Sequence, residues 1–244
     1  LDLICGAEDA YEAWTVIFSC LVSEAYPIWR QLELCNIPER SPTRTILPEA
    51  AGAYDLTVVE SINEVCPVIA LPDSFDAYLA QLESKQRREI KRKNRRARGA
   101  EAQLHIVGEE EDLAAAVDDF LAMLQKSTFE KREWLNDGRR LLFHETAEAA
   151  RADGTLQLLF LEVNGQKAAA LFNFDYAGRI WVYNSGLDPE LFSALSPGVV
   201  ITSSAIELAI ENGRDEFDFL RGDEAYKYRF GAEDTTIYRL QIVR

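Results

Sequence analysis

Histidine is almost missing from this chain: among 244 residues there are two, His105 and His144. That shortage leaves little material for a histidine-based metal site or a Ser-His-Asp centre. The four cysteines, Cys5, Cys20, Cys35 and Cys66, lie far apart in the first third and make neither a CxxC pair nor a Cys/His ligand pattern. They read as buried free thiols of a reducing compartment, so the expected location is cytoplasmic and no metal site is expected. No apolar run approaches the roughly 18 residues that a membrane span needs. The sequence opens at Leu1 without a basic segment and an apolar core behind it, and it reads as beginning inside a longer chain, which makes this weak evidence on targeting.

What the chain has in excess is acid. Its formal net charge is −15, yet "SKQRREIKRKNRRARG" (84–99) holds nine Lys or Arg against Glu89 alone. That block carries +8, so the remainder carries −23. The general field of such a protein repels bulk polyanions, and any phosphate-binding role must be local. The block has no interleaved aromatics for base stacking, and its cations run all round a helix. A nucleic-acid partner is therefore disfavoured against an ion-paired connecting helix or a wall that meets an anionic ligand. If the second holds, reversing Arg88, Arg92 and Arg95 to Glu weakens an acidic ligand. Glu109–Asp112 are the expected partners of the block.

Periodicity divides the chain. Asp2–Cys5 reads as a short strand, Glu8–Ser23 as a helix, "IWRQLELCNIPERSP" as a strand and Pro-rich turn. A short helix around Leu47–Ala53, a strand around Tyr54–Glu60 and a separate strand and linker in "CPVIALP" (66–72) follow. From Asp73 a capped helix with Phe75, Tyr78, Leu79 and Leu82 runs into the basic block. Next come a strand at Ala102–Val107 and helices at Glu109–Lys126 and Asp137–Ala152. Three strands follow, Thr155–Val163, Gln166–Tyr176 and Arg179–Ser185, the first two joined by Asn164-Gly165. A helix (Val199–Glu211), a strand (Glu216–Leu220), a helical turn (Asp223–Arg229) and a last strand (Thr236–Val243) complete an α/β mixed-sheet pattern.

Three stretches carry chemistry. Ser196-Pro197-Gly198 opens a helix, whose unpaired amides and positive dipole end suit a phosphate, though Ser and Pro are also ordinary caps. "DEFDFLRGDEAYKYRFG" (215–231) alternates Phe217, Asp218 and Phe219 before a turn at a strand's C-terminal end, where open α/β sheets place ligands. There Lys227 suits developing negative charge and Tyr226 suits proton delivery; a solvated aromatic loop is the plainer reading. "RIWVYNSGL" (179–187) offers main-chain groups to an amide-bearing ligand, with core packing for at least one of Trp181 and Tyr183. His105 and His144 read as structural.

Together, the strand-helix order, the meander, "SPG" and "FLRGDEAYKYRFG" resemble the GNAT acyltransferase fold, over about Cys66–Arg244. The "CPVIALP" linker and "LESKQRREIKRKNRR" helix are similar to its family 6, CelD-like branch, related to the FemAB peptidyltransferases. The resemblance implies a division into the end of an incomplete GNAT-like half with its linker (1–72), a basic connecting helix (73–100) and a GNAT-like domain (101–244). It implies acyl transfer from acyl-CoA, or a similar activated carrier, to an amine. Tyr183, Asn184, Ser185 and Gly186 would grip the donor, Ser196, Pro197, Gly198 and Val199 its phosphates, and Lys227, Asp218 and Tyr226 the reacting centre. Only Gly198 and the helix start match the family's Gln/Arg-x-x-Gly-x-Gly/Ala loop. Two alternatives stand beside this: a Fem-like transferase using aminoacyl-tRNA on a cell-envelope precursor, and a non-catalytic module in polysaccharide assembly or export.

Overall fold

The computed structural model describes residues 2–24 and 27–244. In chain order its elements are α1 (Ala10–Val22), β1 (Gln31–Pro38), α2 (Thr43–Gly52), β2 (Thr57–Ala70), α3 (Phe75–Gln81), α4 (Ser84–Gly99) and β3 (Gln103–Ile106). Then come α5 (Leu113–Ser127), α6 (Phe129–Trp134), α7 (Asp137–Ala152), β4 (Leu156–Val163), β5 (Gln166–Tyr176) and β6 (Arg179–Leu187). The last are α8 (Pro197–Glu211), β7 (Glu216–Asp218), α9 (Ala225–Tyr228) and β8 (Glu233–Val243).

Two compact units divide the chain: Leu1–Cys66 with Arg221–Asp223 and Asp234–Arg244, and Pro67–Leu220 with Glu224–Glu233. In the first unit β8 lies between β1 and β2. It runs antiparallel to β1, with Gln31 opposite Val243 and Leu34 opposite Leu240. The core is Trp14, Phe18, Ile37, Leu47, Leu240 and Ile242. A strand from the far end of the sequence thus completes a sheet that the first 65 residues do not fill alone.

In the second unit the strand order is β2-β7-β6-β5-β4-β3, antiparallel except for the parallel β6–β7 pair, so the sheet is mixed. Its central strands are apolar on both faces, as a sheet covered on both sides requires. Leu159, Leu161, Ala169 and Leu171 pack with α3, α4 and α8, while Leu158, Phe160, Ala170 and Phe172 pack with α5 and α7. Asn164 and Gly165 both take positive φ (51° and 72°), the geometry that a two-residue hairpin needs. The α/β mixed-sheet pattern expected from the sequence is the one observed.

Several local expectations are corrected. Asp2–Cys5 forms no strand. β2 is one strand that carries Pro67 through, rather than two strands and a linker. α3 stops at Gln81 and α4 starts afresh at Ser84, because Leu82 and Glu83 are extended (ψ 151° and 144°). α5 begins at Leu113, capped by Asp112 on the Ala115 amide, so Glu109–Glu111 lie outside it. α6 was not anticipated; at six residues it is too short for periodicity to reveal. Of the cysteines only Cys66 is buried, while Cys5 and Cys20 are exposed. Ion pairs of the basic block run to Asp76 (Lys91, 3.8 Å) and within α4 to Glu89 (Lys93, 2.6 Å), rather than to Glu109–Asp112.

Candidate active site

β6 and β7 pair for only three residues, Arg179–Trp181 against Glu216–Asp218. β7 then ends, and Leu220 turns the chain away at φ 55°. β6 continues to Leu187, still paired with β5 on its other side. Phe172 faces Asn184 while Asn173 faces Val182, so Tyr183 is an extra residue in a bulge that increases the local twist. The result is an opening between two parallel strands at the point where the sheet's direction changes, the usual ligand position in open α/β sheets.

A cavity of about 730 Å³ occupies the face of the opening that carries α4 and α8. Ser185, Gly186 and Leu187 form its strand wall, Ser196–Val199 its far end, and Phe217, Phe219 and Tyr226 another side. Gly186 is required for packing: a Cβ there would stand 2.7 Å from Leu124 N and 2.8 Å from Met123 C, both main chain of α5. At the helix start Ser196 itself sits in the left-handed region (φ 56°). Pro197 has no amide hydrogen, and the Val199 and Val200 amides donate back to Ser196 O at 2.9 and 3.2 Å. Gly198 keeps the one amide of the first three residues that neither lacks its hydrogen nor turns back to Ser196.

The open edge of β6 is capped at Ser185. Its amide donates to Asn184 Oδ1 (2.9 Å), and its carbonyl accepts from Lys131 Nζ (2.5 Å), which also reaches Ser185 Oγ at 3.4 Å. Lys131, on α6, escaped the sequence reading together with its helix. Burial pushes its ammonium below the usual lysine range, against the pull of the Glu224 charge. Tyr183 is not in the cavity wall; its ring joins Phe143, Phe172 and Phe174 at centroid distances of 5.5–6.0 Å. Trp181 instead lies under the Arg179 guanidinium.

Asp218 and Lys227 come together around one residue, Leu220. Asp218 Oδ1 accepts from Leu220 N at 2.7 Å, and Lys227 Nζ donates to Leu220 O at 3.1 Å. Lys227 also meets Glu224 at 2.8 Å, while Asp218 faces Arg179 at 3.7 Å. Both are buried, at 4% and 2% exposure, and neither lines the cavity. Between them they hold a non-glycine residue in a conformation that costs about 1 kcal/mol or more. Tyr226 does line the cavity, edge-on to Phe219 at 6.0 Å. The residue is 42% exposed, so its edge is open to the cavity mouth; the packed side of the ring first and the Glu224 charge second push its phenol up to about 12, and it is protonated at neutral pH. His105 pairs with Glu111 and His144 with Asp118, away from this centre.

Burial raises the Asp218 carboxyl; the Leu220 amide and Arg179 pull it down, Glu216 adds to the rise and Lys227 opposes it. A carboxyl raised on folding holds its proton more tightly in the folded state. Its stabilising contribution is complete below the unfolded value of 3.8 and is lost as pH rises through the folded value. Asp218→Asn, which keeps an acceptor for Leu220 N, is expected to flatten that limb of the stability curve. Urea midpoints of both proteins from about pH 4 to 7 read it out, and parallel curves would sink the assignment.

An opening between parallel strands, a cavity along it and a helix start at its end define an open α/β sheet protein with a ligand site at the point where its strands part. The model for the acetyltransferase (GNAT) domain matches residues 84–228, more than half of the chain, and the chain belongs to that family. No curated protein matches. Among solved structures the chain is similar to FemX, at TM-score 0.69 and 10% identity, covering 96% of this chain and 76% of that one. It is also similar to L-PGS from Bacillus licheniformis (TM-score 0.64, 7% identity, 96% and 73% covered). A conserved Bacteroides thetaiotaomicron protein of unknown function gives TM-score 0.64 at 12% identity, with 97% and 76% covered. At these identities the likeness concerns the fold. Among the described residues no helix is long and apolar enough to cross a membrane, and no group of three or more His, Cys, Asp or Glu is placed to hold a metal.

Proposed function

We propose that the protein is an N-acyltransferase that moves an acyl group from an acyl-CoA-type carrier to an amine. The observation that carries this reading is the cavity running from the open edge of β6 to the start of α8. The carrier's amide arm would lie along Ser185–Leu187, taking over the edge groups that Asn184 and Lys131 cap, with its phosphate end toward Ser196–Val199. The acceptor amine attacks the acyl carbonyl, the C–N bond forms, and the C–S bond breaks. The leaving thiolate takes a proton, which protonated Tyr226 is placed to supply, and the proton shed by the acceptor nitrogen passes through solvent to restore the phenol, so that the products are the amide and the free thiol. Asp218 and Lys227 act as positioning residues: they hold the Leu220 turn from which α9, and so Tyr226, is carried. Positioning and charge stabilisation then supply most of the rate.

Incubation with acetyl-CoA, longer acyl-CoAs and a panel of amines, followed by thiol release, tests the reading. Calorimetry that finds no binding of any acyl-CoA would remove it. Tyr226→Phe is expected to lower kcat by roughly 100-fold or more with little change in KM, the usual scale of general-acid loss. An unchanged kcat would dismiss Tyr226.

The fold shared with FemX supports a second reading, an aminoacyl-tRNA-dependent transferase acting on a cell-envelope precursor. Transfer that ribonuclease abolishes would establish it, and transfer indifferent to ribonuclease would exclude it.

A further inference from the structure

α4 presents one of its faces to the cavity: Lys85, Gln86, Glu89, Ile90 and Lys93 line it, joined by Arg229 beyond α9. Three observations bear on what that wall meets. First, the start of α8 is poor in donors, since Pro197 lacks an amide hydrogen, the Ser196 amide donates to Ser193 O and the Val199 amide donates to Ser196 O. An anion there finds the Gly198 amide rather than the four that a helix start normally offers. Second, Lys85, Lys93 and Arg229 stand against Glu89 in the same cavity, Glu89 pairing with Lys93 at 2.6 Å, while the cavity's other carboxylate, Asp188, is held by Lys126 at 2.9 Å. This is a local positive surplus in a chain of net charge −15. Third, Gln86 Oε1 is buried and has no hydrogen-bond partner among the described residues. A buried acceptor left unpaired is costly, and a donor from a ligand removes that cost.

From this we infer that α4 is the ligand-binding wall of the cavity: Lys85 and Lys93 take the phosphates of the carrier, and Gln86 accepts an N–H from its amide arm. The inference rests on the acyl-carrier reading above and names the residues that replace the missing helix-start donors. Side-chain cations do here what main-chain amides do at a glycine-rich loop, and charge-assisted contacts to phosphate are among the stronger hydrogen bonds. Arg88 and Arg92 do not line this cavity, and Arg95 lines a different cleft beside Glu207. The inference thus rests on Lys85 and Lys93, which line the cavity, in place of Arg88, Arg92 and Arg95, which do not.

Calorimetry with two probes tests this: acetyl-CoA, which carries phosphates, and pantetheine, which has the amide arm without them. Lys85→Gln/Lys93→Gln is expected to weaken acetyl-CoA by roughly 10-fold or more and to flatten its salt dependence, leaving pantetheine unchanged. Gln86→Leu should weaken both probes by similar factors. Arg88→Glu/Arg92→Glu/Arg95→Glu should leave both within about 3-fold, since rim charges well away from a ligand are screened. Lys85→Gln alone, at an exposed side chain, keeps the comparison readable if Lys93→Gln disturbs the helix. Acetyl-CoA affinity indifferent to Lys85 and Lys93, or lost equally in the Arg88/Arg92/Arg95 variant, overturns the α4 wall while leaving the carrier reading intact. A wild-type protein that binds neither probe overturns the carrier reading, and this one with it.

Discussion

Gly186→Val is expected to cost about 3 kcal/mol or more of stability, seen as a lowered urea midpoint with an unchanged slope. The reason is the nature of the atoms in the way. A Cβ at Gly186 would meet Leu124 N at 2.7 Å and Met123 C at 2.8 Å. These are main-chain atoms in the interior of α5, whose residues Leu121 and Leu124 are themselves fully buried. No rotamer change relieves such a contact; either α5 shifts off the sheet or β6 moves into the opening. Gly186→Ala should show a smaller loss in the same direction. Gly198 is the internal control, because its added Cβ would meet only Leu187 Cδ2, at 3.4 Å. Gly198→Ala should stay within about 1 kcal/mol of the parent, since alanine also favours the helix. Equal effects at the two glycines would show that the approach of α5 to β6 is not what Gly186 is for.

Lys227→Ala is expected to cost about 2–3 kcal/mol and to abolish transfer. The side chain is 2% exposed, and its ammonium bonds the Leu220 carbonyl and the Glu224 carboxylate. Truncation leaves a buried void and takes a partner from Leu220 O, each costing on the order of 1–2 kcal/mol. Glu224 faces water, so the loss of that pair adds little. Lys227→Met separates the two contributions: it fills most of the void but makes no bond, and should cost about half as much. A double-mutant cycle with Asp218→Asn decides whether the two residues act together on Leu220. They should fall short of additivity by about 0.5 kcal/mol or more, because Leu220 can be released only once. Strict additivity would show that Asp218 and Lys227 serve separate ends.

The two experiments concern the same opening from its two sides, and they show how differently its parts could be read beforehand. The meander was legible because strand length, alternation and Asn164-Gly165 are local signals; both hairpin residues take the positive φ that their types favour. α7 was legible to the residue, from Asp137 to Ala152. The start of α8 was legible as Ser-Pro-Gly, but its shortage of free amides was not, since that depends on the Ser196 amide turning to Ser193 O and the Val199 amide to Ser196 O. α6 and Lys131 were missed because six residues hold fewer than two helical turns and the lysine acquires meaning only beside Ser185.

By itself, then, the sequence determined the α/β class, the order of elements from Gln103 onward apart from α6, and the two segments around which the site is built. These follow from periodicity and turn chemistry, which act over a few residues. Only the tertiary structure decided where β6 and β7 part, which carboxylate and ammonium hold Leu220, and which of nine cations on α4 look inward. Each of those is a matter of direction between elements far apart in the chain. A helix with charges on every side does not disclose which side is covered until something packs against it.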